Sequence, residues 1–184
     1  MQTLRRRDIN ISLADYRRII DLKTAELFRV SCFLGARLGG YAADFVAAAD
    51  RFGHHLGIAY QIYDDLADFV GEEQRIGKTL GTDLATGKLT LPLMILLERV
   101  SASERASIVA ALQGGQALGL AASRQRMKEM DIAAAVRAAI EDELTLAVAA
   151  LNPHANLAPV PFMLQLADML RHQVAVLETA AIAG

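Results

Sequence analysis

Tryptophan is absent from this chain, cysteine occurs once, and aromatic residues make up only 5% of it. The lone Cys32 excludes an internal disulfide and agrees with a reducing compartment. Scarce aromatics beside abundant Ala and Leu argue against sheets, because Ala and straight-chain residues lose least on entering a helix. An all-α protein is expected. No charge of one sign dominates either. A net charge of −2 gives no general attraction to nucleic acid or anionic lipid. The run Arg5, Arg6, Arg7 is too short to change that and reads as a solvated lead-in. Long hydrophobic runs are missing as well. The stretch 89–97 is far too short to span a bilayer, and the Arg-bearing start lacks the apolar core of a signal peptide. A cytoplasmic protein without a transmembrane segment is the expectation. What remains is 184 residues, 53% hydrophobic and 22% charged, which suits one compact domain spanning 1–184.

Ser12 with Asp15 three residues on resembles a capping box, and Ile20, Leu27, Val30 and Leu34 continue the pattern as one helix to about Gly39 and Gly40. Lys23 falls on that apolar stripe, where its ammonium must either snorkel to water or meet an anion. A second helix reads from about 41 to 70 and would be roughly 45 Å long. Along it Gly53, Gly57, Gln61, Asp64, Asp65 and Asp68 recur at three- and four-residue steps, so one face runs from bare backbone through an amide to carboxylates. Either another helix packs tightly at the glycines, or an apolar ligand tail lies there with its charged head at Asp64 and Asp68. Periodicity fails over 71–88, where Gly71, Gly77, Gly81 and Gly87 break any helix and Lys78, Asp83 and Lys88 are spread between them. Pro92 suits the first turn of a helix reaching about Val100, and Ser101 with Glu104 caps the next. Gly114 and Gly115 mark a break. Ile132, Val136, Ile140, Leu144, Val148 and Leu151 trace an apolar stripe, and after Pro153, Pro159 and Pro161 a last helix runs through Leu164 to Leu177.

Asp64, Asp65 and Asp68 carry the clearest chemistry. On a helix Asp64 and Asp65 both lie beside Asp68, so three like charges meet on one patch. Folding tolerates such a patch if a hard divalent cation fills it, taking carboxylate, water and phosphate oxygens. The bland alternative is a solvated acidic helix end. Gly77, Lys78 and Thr79 fit a nucleotide-binding loop poorly, since the spacing from Gly71 is wrong and a helix precedes them. Adjacent His54 and His55 point to different sides of a helix, which suits packing rather than paired metal ligation. Glu141, Asp142 and Glu143 read as a solvated helix face. No Ser, nor the lone Cys, is marked as an activated nucleophile.

Taken together, residues 57–69 (GIAYQIYDDLADF), residues 77–92 (GKTLGTDLATGKLTLP) and the Lys23, Thr24 pair in IDLKTAELF resemble the trans-polyprenyl diphosphate synthases. A Lys-Thr pair, a Gln three residues before a DDxxD box and two later Gly-Lys pairs stand in that family's order and spacing. The resemblance implies an isoprenoid synthase-like bundle of long helices around a central cavity. It implies head-to-tail condensation of isopentenyl diphosphate with an allylic diphosphate, dependent on Mg²⁺. By the same resemblance Asp64, Asp65 and Asp68 form the second aspartate-rich motif and hold the metal. Lys23, Lys78 and Lys88 would grip the allylic diphosphate. Thr24 and Gln61 would lie near the reacting carbon, so that Lys23, Thr24, Gln61 and Lys78 form the catalytic set.

The first aspartate-rich motif of that family, the paired arginines after it and the early residues that hold isopentenyl diphosphate have no counterpart here. The chain is therefore expected to lack the N-terminal helices of the fold and to be incomplete on its own. A homo-oligomer, or a complex with a chain supplying the first motif, would restore them. The alternative is a non-catalytic partner or regulatory subunit of a complete synthase.

Overall fold

The computed structural model describes residues 10–70, 81, 83, 86–114 and 120–183. Among them every regular element is helical: α1 (Leu13–Ile20), a π-turn (Asp21–Ala25), α2 (Glu26–Leu38), α3 (Ala43–Val70), α4 (Leu91–Arg99), α5 (Ala102–Gln113), α6 (Leu120–Glu129), α7 (Ile132–Leu151), a 3₁₀ turn (Asn152–His154) and α8 (Val160–Ala183). The all-α expectation holds, and no described helix is long and apolar enough to cross a membrane. The chain divides into two compact units, one of Met1–Ile19, Asp64–Arg137 and Leu177–Gly184, the other of Ile20–Tyr63 and Ala138–Val176.

In the first unit the capping box forms as the sequence implies. The Ser12 hydroxyl accepts the Asp15 N–H at 3.1 Å, and the Asp15 carboxylate accepts the Ser12 N–H at 3.2 Å. Pro92 sits in the first turn of α4, which buries Leu91, Leu93, Leu96 and Leu97. Ser101 caps α5 by accepting the Glu104 N–H at 3.3 Å, and α5 ends at Gly114. Arg126 on α6 reaches the Glu104 carboxylate through Nε at 2.6 Å.

The second unit is built on α3. Phe45, Phe52 and Ile62 are fully enclosed, as are Ile140, Leu144 and Leu151 of α7. Each such side chain contributes about 1.5–3 kcal/mol by leaving water. The α7 stripe follows the sequence pattern with one exchange: Ala147 takes the buried place and Val148 is half-buried.

One expectation fails near the N-terminus. The single helix from Ser12 to Gly39 is interrupted by the π-turn at Asp21–Ala25. Its apolar stripe then turns outward. Ile20 is buried, but Leu27 is 71% and Leu34 44% exposed, while α2 buries Ala36. A π-turn inserts an extra residue, which rotates the following face by about 100° relative to a continuous α-helix.

Candidate functional site

The C-terminal turns of α3 supply the carboxylates of the first unit. Asp65 is completely buried, and both of its oxygens are engaged. Tyr16 donates its hydroxyl to Oδ2 at 2.9 Å, and the Lys88 ammonium approaches Oδ1 at 3.3 Å. Lys88 also bonds the Asp83 carboxylate at 2.9 Å. Burial, the largest influence, raises the Tyr16 phenol well above its usual range, and the neighbouring Asp65 charge adds to this. Burial alone would pull the Lys88 ammonium down, but Asp65 and Asp83 together outweigh it and the net direction is upward. Tyr16 therefore stays neutral and Lys88 stays charged, which is how a buried carboxylate survives inside the fold.

Asp68 is also buried and accepts two backbone N–H groups. Its backbone carbonyl accepts the Gly81 N–H at 2.9 Å, and its Oδ2 accepts the Asp83 N–H at 3.0 Å. Gly81 has φ of 73°, a left-handed conformation that a Cβ would resist. Asp64, by contrast, is only half-buried. Among the described residues no three His, Cys, Asp or Glu side chains converge in an arrangement ready to hold a metal ion. The three carboxylates thus have different environments, and Asp65 faces its own lysine and tyrosine. Lys78 lies outside the described residues.

The second unit holds the Lys-Thr pair. Both residues belong to the π-turn, a form found mostly as short insertions at functional sites. Lys23 is exposed and Thr24 half-buried. The Thr24 hydroxyl donates to Gln61 Oε1 at 2.6 Å, and Gln61 is itself buried on α3. The structure so unites two of the sequence-selected residues, separated by 37 positions.

The glycine face of α3 takes the packing reading. A Cβ at Gly57 would stand 2.5 Å from the Ala25 Cα, and one at Gly53 would stand 2.6 Å from the Phe28 carbonyl oxygen. The backbone of the π-turn and α2 fills that face, which leaves no room on these two glycines for a ligand tail. Glu143 also departs from expectation. It is buried rather than solvated, and its carboxylate meets His55 Nδ1 at 2.8 Å.

Sequence reasoning missed Tyr16, Asp83 and Glu143. Tyr16 had a signal, as the one aromatic of the first helix. Asp83 had a weaker one, a carboxylate five positions before Lys88. A cleft of about 270 Å³ lined by Tyr41, Phe45, Pro153 and His154, among others, contains none of the selected residues.

Residues 1–129 match the family model described as polyprenyl synthetase, and the chain belongs to that family. It is 36% identical over 107 residues to the short chain isoprenyl diphosphate synthase of Methanothermobacter thermautotrophicus, covering 58% of this chain and 33% of that protein. It is 44% identical over 93 residues to heptaprenyl diphosphate synthase component 2 of Geobacillus stearothermophilus, covering 50% and 29%. Among solved structures it resembles a polyprenyl synthase from Caulobacter crescentus CB15, complexed with calcium and isoprenyl diphosphate. That match has a TM-score of 0.86 at 30% identity and covers 92% of this chain and 52% of the other. The chain therefore spans about a third of the length of these curated relatives and about half of that solved chain.

Proposed function

We propose that this chain carries the allylic-diphosphate portion of a trans-prenyl diphosphate synthase. Its reaction is the head-to-tail condensation of isopentenyl diphosphate with an allylic diphosphate. The observation that carries this reading is the Thr24–Gln61 hydrogen bond, which joins the Lys-Thr π-turn to the helix that ends in the DDxxD box. Family membership and a relative solved with isoprenyl diphosphate support it.

The chemistry follows from charge. Breaking the allylic C–O bond leaves a carbocation and a heavily charged diphosphate, so catalysis lies in groups placed where those charges develop. Lys23, Lys78 and Lys88 are assigned to the diphosphate. Asp64 and Asp68 would hold Mg²⁺, which when bound neutralises charge on the leaving group. Asp65 braces Lys88 and so keeps the carboxylate end of α3 in shape. The Thr24 hydroxyl and the Gln61 amide present fixed dipoles to the cation, and the released diphosphate takes up the proton lost from the adduct.

In this reading the chain works with a second polypeptide or copy. One observation favours that: Leu27, Leu34 and Leu38 of α2 stand 44–84% exposed. A purely regulatory partner of a complete synthase rests on the same observation. Product analysis by mass spectrometry with Mg²⁺, isopentenyl diphosphate and a set of allylic primers separates these readings. Longer prenyl diphosphates from the pure chain, lost in Asp64→Ala, establish the enzyme. If the pure chain yields no product, titration calorimetry decides: Mg²⁺-dependent diphosphate binding that Asp64→Ala removes keeps the assignment, and binding indifferent to both sinks it.

A further inference from the structure

A π-turn wastes helical hydrogen bonding and persists only where its surroundings hold it. In the second unit one face of α3 does the holding: Asp50, His54, Gly57 and Gln61, at steps of four, three and four residues. Gly57 seats Ala25, and Gln61 takes the Thr24 hydroxyl. Asp50 acts through Arg29, which bonds it at 3.2 Å and bonds Glu26 through Nε at 2.9 Å. Glu26 is the first residue after the π-turn. Asp21 is the first residue within it, and its buried Oδ1 has no hydrogen bond. His54 Nδ1 stands 3.2 Å from that oxygen.

His54 is in turn backed by its neighbour. The His55 ring meets the His54 ring edge-on at 5.1 Å, and the buried Glu143 carboxylate fixes His55 at 2.8 Å.

We propose that His54 is a positioning residue that closes the π-turn through Asp21 and thereby sets Lys23 for diphosphate and Thr24 for the reacting carbon. The positioning of the turn stands on geometry alone, while its purpose rests on the function proposed above. His54 acts on the turn's first residue, and Gln61 on its fourth, so the two contacts bracket Lys23. Without His54 the segment is free to relax to regular α-helix, which removes one residue from the turn and swings the Lys23 side chain to a different face.

Hydrogen exchange of the full chain, read by mass spectrometry, tests this without any ligand. His54→Ala is expected to raise exchange of amides 21–26 about tenfold, the effect of losing roughly one polar contact to the turn, with residues 43–52 of α3 unchanged. His54→Gln, which keeps a donor, restores protection, and Asp21→Asn, which keeps an acceptor, leaves it near the parent value. Unchanged exchange over 21–26 in His54→Ala overturns the proposal, and so does an equal rise along all of α3, the mark of general destabilisation. Calorimetry with Mg²⁺ and inorganic diphosphate then separates turn from purpose. Parent binding weakened in His54→Ala and recovered in His54→Gln supports the purpose. Parent binding unaffected by either variant overturns that purpose, while a parent that binds nothing counts against the proposed function and leaves the exchange result to judge the turn.

Discussion

The middle and the C-terminal end of α3 are held by opposite means. Near Gly53 and Gly57 it is fastened by shape, backbone against backbone, with small residues between. At its carboxylate end it is fastened by charge, where a buried aspartate is shared by a tyrosine and a lysine. Shape fails when something is added, and charge fails when something is taken away. A site assigned to diphosphate gains from both, since neither mode depends on a soft hydrophobic contact that a polar ligand would disturb.

The charged end should break most severely. Lys88→Met leaves Asp65 buried without its cation, and the expected loss is about 3–5 kcal/mol of unfolding free energy, read by urea denaturation. The double variant Lys88→Met with Asp65→Leu should recover most of it, because an apolar pair of similar volume replaces a desolvated ion pair. The shaped middle comes next. Gly57→Ala gains up to about 1 kcal/mol of helix propensity but forces α2 away, for a net loss of about 1–3 kcal/mol. A variant as stable as the parent would show that the close approach is dispensable. Tyr16→Phe removes one donor from Asp65 and should cost about 1–2 kcal/mol, with Lys88 still in place.

The smallest effect near neutrality is the alkaline one. Tyr16 and Lys88 both titrate in the folded chain above their ordinary values of 10.0 and 10.5. Their contribution is fully present below about pH 10 and is lost as pH rises through the folded values. Thermal unfolding scanned from pH 8 to 11 should show a falling melting temperature that is shallower in Tyr16→Phe. An equal slope in both chains would remove Tyr16 from the account.

Local chemistry was legible in the sequence where it is governed by neighbours along the chain. The capping box at Ser12, the cap at Ser101, Pro92 at a helix start and, with Val148 exchanged for Ala147, the α7 stripe depend on residues a turn apart, and they stand as read. The Lys-Thr pair and Gln61 were singled out through family resemblance, and the structure joins Thr24 to Gln61 by a hydrogen bond. The π-turn was not legible. Nothing in the string DLKTA announces an inserted residue, because its cause is held on α3, some thirty positions away. The outward face of α2 was not legible for the same reason, since a hydrophobic stripe reports what wants burial and not what covers it. Glu143 looked solvated because its partner His55 is 88 residues distant in sequence.

That outward face has a calorimetric consequence. Leu27, Leu34 and Leu38 are already hydrated in the folded chain, so unfolding exposes little new apolar surface at α2. The helix therefore adds little to the heat capacity of unfolding, although it is well placed against α3. The deficit is returned on association: whatever covers those leucines should do so with a negative heat-capacity change, measurable before the partner's role is known.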